Sequence, residues 1–176
     1  MPKFARFFVT FLGAFLLAGC MFEEPVFTGE FSELPDSLGG VWVAPGKAED
    51  PRGDSYAVFA PIEAQRWLLA YPAGEAEKTV YYEVQARTFG EGRDLLQLRT
   101  IASFAGGLPD AGEGKYTLVF CNRIAGNRLE VRPINAEGPL KGKKAPEVKS
   151  MLEAPDADWN AMFVREPMVF RLLPEE

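Results

Sequence analysis

The chain of 176 residues contains no histidine, and that single absence removes most familiar catalytic sets. Ser-His-Asp triads and Cys-His dyads need an imidazole to take the nucleophile's proton, and His-ligated zinc or iron sites need its lone pair. Ser-x-x-Lys, the commonest histidine-free serine nucleophile pattern, does not occur either. Gly114-Lys115 and Gly142-Lys143 lack the upstream glycine of a phosphate-binding loop, and neither lysine is followed by Ser or Thr. Gly90-Glu91-Gly92 lacks the third glycine of a dinucleotide loop. Asp156-Ala157-Asp158 stands without the rest of a calcium loop and reads as a helix N-terminus. Paired carboxylates would still serve as general acid and base, but the 25 acidic residues are scattered mostly through turns. No catalytic residue, metal ligand or cofactor is therefore assigned. Arg52-Gly53-Asp54-Ser55 spells an integrin-binding tetrapeptide, yet its four residue types are those of an ordinary turn. Lys141, Lys143 and Lys144 read as a solvated basic loop. What remains is an aromatic set: Trp42, Tyr56, Trp67, Tyr71, Tyr82 and Tyr116 share strand-like segments with aliphatic residues. Such rings fill a core, or some of them line an apolar cavity with hydroxyl and indole groups aimed inward, as in ligand pockets.

The elements that must hold these rings have a period of two. In Thr79–Thr88, Val80, Tyr82, Val84 and Ala86 fall on one face and Tyr81, Glu83, Gln85 and Arg87 on the other, the pattern of a half-buried strand. Similar runs occupy Gly40–Ala44, Ser55–Ala60, Arg66–Tyr71, Leu95–Ser103, Lys115–Arg123, Arg128–Ile134 and Met168–Leu173. Turn formers separate them, and Gly126-Asn127 joins two runs almost directly, with both residues able to take positive φ. Pro146–Glu153 breaks the pattern, with Val148, Met151 and Leu152 at helical spacing and Pro146 suited to a first turn. Asp156–Phe163 reads as a second short helix capped by Asp156, with Trp159, Met162 and Phe163 turned inward. The expectation is seven strands, a helical crossover and a closing strand: a mainly β, small antiparallel barrel of about eight strands, with a β-sandwich as the alternative. Gly40-Val41-Trp42 on the first strand resembles the Gly-x-Trp signature of lipocalins, which implies a barrel just wide enough to be filled by side chains or to hold one small ligand. In that family the late helix follows the last barrel strand, whereas here a strand follows it.

The first 19 residues have a different character. Lys3 and Arg6 precede the uncharged run Phe7–Ala18, and Leu17-Ala18-Gly19-Cys20 closes it. Twelve helical residues reach about 18 Å, short of the roughly 30 Å hydrocarbon core, so the run fits a signal peptide rather than a span. Leu17-Ala18-Gly19-Cys20 resembles the bacterial lipobox. The resemblance implies a signal peptide over 1–19, cleavage before Cys20 and acyl chains on Cys20. Met21, in place of the aspartate that retains enteric lipoproteins at the inner membrane, implies the outer membrane facing the periplasm. Two or three acyl chains anchor durably where one holds only marginally.

The organisation expected is a signal peptide over 1–19, a lipidated N-terminus and tether over 20–37, and a single β-domain over 38–176. Phe22, Val26, Phe27 and Phe31 are too apolar for a freely solvated linker and are expected to pack on the domain or the membrane. Removing residues 1–19 leaves 17 basic against 25 acidic residues, a charge of −8, which disfavours nucleic-acid binding. With Cys20 acylated, Cys121 has no partner in its own chain and is expected to be a buried, inert thiol; with Cys20 free, a Cys20–Cys121 disulfide is open to it. These readings point to a non-enzymatic cell-envelope lipoprotein, lipid-anchored to the membrane, that binds a small apolar ligand or an envelope protein. Two alternatives are an inhibitor of an envelope-active hydrolase such as lysozyme, and a carboxylate-based glycan hydrolase.

Overall fold

Period-two patterning builds nine strands in a computed structural model that describes residues 21–29, 31–46, 53–73, 79–89, 93–103, 114–124, 127–164 and 166–174. The expected signal peptide, Cys20, Arg52, Gly90-Glu91-Gly92 and Gly126 lie outside the described residues. The strands are β1 (Met21–Phe22), β2 (Gly40–Ala44), β3 (Ser55–Glu63), β4 (Arg66–Ala73), β5 (Val80–Thr88), β6 (Arg93–Ser103), β7 (Tyr116–Ile124), β8 (Arg128–Pro133) and β9 (Met168–Leu172). Strands β2 to β8 form an antiparallel meander, and β9 pairs with both β8 and β2. The result is a closed eight-stranded barrel rather than a sandwich, with no long unpaired edge of the kind that invites aggregation. Strand β1 is an extra, pairing with the start of β7 where β8 does not reach (Met21↔Thr117, Phe22↔Tyr116). At the tight connection between β7 and β8, Asn127 takes the expected positive φ of 56°.

Strand alternation divides the apolar residues into two clusters. The inner one fills the barrel with Trp42, Phe59, Trp67, Tyr82, Val84, Leu96, Leu129 and Phe170, among others. The outer one lies against β6 and β7 beneath the crossover that links β8 to β9. That crossover carries α1 (Ala145–Glu153) and α2 (Trp159–Met162). Helix α1 turns Val148 and Leu152, one turn apart, onto the outer cluster. Pro146 sits in its first turn, and Glu147 accepts a hydrogen bond from the backbone N–H of Lys144 at 3.0 Å, which holds its carboxyl below the usual carboxylate range. The second helix is shorter than the sequence implies. Its cap is Asp158, whose side chain accepts from the Ala161 N–H at 3.2 Å, and not Asp156. Both aspartates are capping types at suitable distances from Trp159, and only the backbone path separates them. No helix among the described residues is long and apolar enough to cross a membrane.

The N-terminal segment is no loose tether. Val26 and Phe27 are buried in the outer cluster, with Phe22 and Phe31 packed against it. Gln97, buried on the outer face of β6, clasps Phe27 from both sides: it accepts from the Phe27 N–H at 2.9 Å and donates to the Phe27 carbonyl at 3.1 Å. Ser32 then bridges to Ala86 on β5. Leu34 and Leu38 enter the inner cluster around a 3-10 turn at Asp36–Leu38, plugging one end of the barrel. Residues 21–37 are thus part of the fold. Gly39 and Gly40 are what let the plug turn into β2. A Cβ on Gly39 would stand 3.1 Å from the Asp36 carbonyl oxygen, and Gly40 has a φ of +121°, in the region L side chains rarely adopt. Two residues on, the Trp42 indole N–H donates to the Leu38 carbonyl at 2.8 Å. The Gly40-Val41-Trp42 signature is therefore a closure device.

Candidate functional site

The six aromatic residues proposed as a cavity lining divide by strand parity. Trp42, Trp67 and Tyr82 point into the barrel and are buried, with Tyr71 half-buried against them. Tyr71 meets Phe170 edge-on at 6.1 Å between ring centroids. Tyr56 and Tyr116 are corrections. Each alternates with inward neighbours, Ala57 on β3 and Thr117 on β7, so each faces out. The inward rings pack on one another and on aliphatic side chains as one cluster, which is how a barrel of eight strands is filled. The indole N–H of Trp42 is spent on Leu38 and offers nothing to a ligand.

Among the described residues, a polar cluster gathers where β5 ends and β6 begins. Asp94, with only 3% of its side chain exposed, lies 3.1 Å from Arg123 Nε and accepts a hydrogen bond from the Thr88 hydroxyl at 2.7 Å. Cys121 sits across the strand pair from Asp94 and is buried. Burial, with the Asp94 charge adding to it, pushes the thiol well above its ordinary value. Burial and the neighbouring Tyr71 push the Tyr82 phenol up to about 12. Both groups keep their protons in the folded state at pH values where the unfolded chain has lost them. Their contribution is complete below about pH 8.5 for the thiol and 10 for the phenol. Above those values stability falls by about 1.4 kcal/mol per pH unit for each group. Urea midpoints are expected to be level from pH 7 to 8 and to fall steadily above about pH 9, with Tyr82 adding from about 10 to 12. A midpoint that held steady to pH 11 would show that neither group is shielded.

On the outside, aromatic and charged residues gather around an open cleft. A cleft of about 500 Å³ opens between the crossover and the barrel wall, lined by Phe89, Phe120, Trp159 and Phe163, with Glu130, Arg132, Glu153 and Asn160 among its polar residues. Strand β7 brings Phe120 outward, β8 brings Glu130 and Arg132, and α2 brings Trp159 and Asn160. Trp159 meets Phe89 edge-on at 5.6 Å and Phe120 at a tilt at 5.3 Å, and Phe120 meets Phe163 at 5.8 Å. The Arg132 guanidinium lies 5.0 Å over the Phe163 ring and reaches Glu130 at 2.8 Å. At the far end Glu153 pairs with Arg87 at 2.9 Å. Two carboxylates therefore share one cleft, each engaged by a guanidinium. Sequence reasoning assigned Trp159 and Phe163 to packing and passed over Glu130 and Glu153. No local signal marks the cleft, because Phe89 and Phe120 lie 70 and 39 residues before Trp159 and meet it only in the folded barrel.

The other motifs are absorbed by structure. Lys141 and Lys143 are matched by Glu137 at 3.1 Å and Glu147 at 3.7 Å, each four residues away in the chain. Asp54 of the Arg-Gly-Asp-Ser motif accepts from the Gly46 N–H at 3.0 Å. Among the described residues no three acidic or cysteine side chains converge as metal ligands. No family profile matches the chain, and neither a characterised protein nor a solved structure is detectably similar to it.

Proposed function

We propose that this chain is a cell-envelope lipoprotein, processed after Gly19 and acylated on Cys20, whose barrel is a rigid mount for a non-enzymatic binding site in the external aromatic cleft. The observation that carries the reading is the occupancy of the barrel by its own rings: with Trp42, Phe59, Trp67, Tyr82 and Phe170 inside, binding falls to the outer surface. There the cleft offers an apolar floor and a polar rim, the usual composition of a recognition site. Its size and openness suit an aromatic or aliphatic side chain of a protein partner. Trp159 is the natural anchor, since truncating a central tryptophan commonly weakens an interface by about 2 kcal/mol or more, roughly thirtyfold.

The test places a photo-crosslinking residue at Asn160, on the rim, in the acylated protein in its native envelope. An adduct to one partner that is lost with Trp159→Ala supports the site. Absence of an adduct, or an adduct indifferent to Trp159→Ala, overturns it. Acylation is read separately, from the mass of the N-terminal peptide. A second reading, a carboxylate glycan hydrolase, is favoured by one observation, the presence of Glu130 and Glu153 in one cleft. It requires turnover of envelope glycan that disappears in both Glu130→Gln and Glu153→Gln.

A further inference from the structure

The surroundings of the external cleft repeat one arrangement. The Arg132 guanidinium lies 5.0 Å over the Phe163 ring while its Nε donates to Glu130 at 2.8 Å. The Arg87 guanidinium lies 5.7 Å over the Phe27 ring while it pairs with Glu153 at 2.9 Å. Each time a planar cation rests on a ring and reaches a carboxylate, a combination that suits arginine better than lysine. Trp159 lines the same cleft as both carboxylates. Tryptophan attracts cations more strongly than the other aromatic side chains. Among the described residues, however, the cations over rings are those two, and none lies over Trp159. Its neighbours are the rings of Phe89 and Phe120, and it is half-exposed. The carboxylates also keep acceptors free. Glu130 and Glu153 meet their arginines through Oε1, and among the described residues neither Oε2 has a partner or is buried. Glu153 is the less satisfied of the two: its Oε1 is buried, and the contact with Arg87 is off hydrogen-bond alignment.

Building on the cleft as a recognition site, we propose that the anchor a basic protein partner sets there is an arginine side chain, with its guanidinium on the Trp159 ring and its N–H edge on Glu153. The methylenes of arginine supply the aliphatic contact that the apolar floor takes, while the charged head keeps to the polar rim. A neutral aromatic or aliphatic anchor would cover the same floor but press the Oε2 atoms into an interface without donors, and an acceptor left unmatched on burial is costly. A carboxylate anchor would meet two groups of its own sign. An ammonium would reach Glu153 without lying flat on the ring. With Arg87 counted, the two carboxylates and two guanidiniums of the site cancel, so the local charge does not turn a cation away. Attraction from a distance comes from the whole domain, with 17 basic against 25 acidic residues from Cys20 onward. Such a field steers a basic surface toward the chain and is screened by salt.

The experiment titrates the natively processed protein, purified in a neutral detergent, with short capped peptides by calorimetry. The peptides differ at one position, which holds arginine, its uncharged isostere citrulline, or lysine. The arginine peptide is expected to bind about tenfold more tightly than the citrulline peptide, several-fold more tightly than the lysine peptide, and less tightly as salt is raised. Trp159→Ala and Glu153→Gln, each folded by circular dichroism, are each expected to weaken it about tenfold, and Trp159→Phe, which keeps a ring, is expected to weaken it less than Trp159→Ala. A citrulline or lysine peptide that binds as tightly overturns the proposal. So does an arginine peptide indifferent to Trp159→Ala and Glu153→Gln, which places it on the diffuse acidic surface, and so does an N-acetylglucosamine oligosaccharide that binds at Trp159 in its place. If the arginine peptide fails to bind while the Asn160 adduct persists, the arginine anchor is wrong and the cleft stands. If both are missing, the cleft falls with it.

Discussion

Deleting residues 21–31 is expected to unfold the barrel or leave it molten, not to release it from a leash. The deletion uncovers the sites of Val26 and Phe27, both buried, at about 1.5–3 kcal/mol each. It also strands the Gln97 amide, whose two hydrogen bonds both go to the backbone of Phe27, at about 1–3 kcal/mol for a buried polar group left unmatched. Together these approach the 5–15 kcal/mol that holds a whole domain of this size. A solvated tether would predict the opposite, a change within about 0.5 kcal/mol. Urea unfolding of the deleted and intact chains separates the two, and Gln97→Ala isolates the clasp. If the deletion leaves the midpoint unchanged, the strap is ornamental. The first described residue, Met21, already pairs with Thr117, so the strap belongs to the sheet from its start.

The barrel was legible in the sequence because its strands are locally self-sufficient signals. Val80, Tyr82, Val84 and Ala86 alternate without a break, and they line the interior as the period requires. The late strand after a helical crossover was equally visible, since Met168–Leu172 repeats the pattern beyond Glu153. Parity limited the reading of the aromatic set. Tyr56 and Tyr116 sit in strands whose both faces carry apolar residues, so their sequence neighbours do not say which way a ring points. Only the register does, through Ala57 opposite Trp42 and Thr117 opposite Leu98. The N-terminal strap, residues 21–29 and 31–37, was half legible: the apolar character of Phe22, Val26, Phe27 and Phe31 implied packing on the domain or the membrane, and they pack on the domain. Its acids and prolines belong to a linker and its four apolar residues to a core. What decides between them is Gln97, some 70 residues away, and a contact at that separation leaves no local trace. The external cleft was hidden for the same reason: Phe120 and Arg132 come from strands and Trp159 from a helix. Their convergence is a property of the closed barrel.

Trp67→Ala is the second large effect, and it tests whether the barrel is filled. Trp67 is among the largest fully buried side chains. It lies opposite Val84, and its ring comes within 3.5 Å of where a Cβ on Gly39 would be, so the 3-10 plug rests on it. Truncation removes the ring and the floor under the plug, and about 3–5 kcal/mol of destabilisation is expected, read from the urea midpoint. Trp42→Phe keeps most of the packing and loses the hydrogen bond to Leu38, so about 1 kcal/mol is expected there. Trp159→Ala, in the half-exposed cleft, should cost less than Trp67→Ala while abolishing partner capture. The three tryptophans therefore separate structure from recognition. The space left by Trp67 is apolar and enclosed, and such engineered cavities stay dry and take up small aromatic molecules. Indole or benzene should accordingly raise the stability of Trp67→Ala in proportion to the logarithm of its concentration, while leaving the wild-type chain unmoved. A wild-type barrel that is itself stabilised by these probes, or a Trp67→Ala variant as stable as its parent, would mean the interior is hollow. The binding site would then have to be moved from the external cleft back inside.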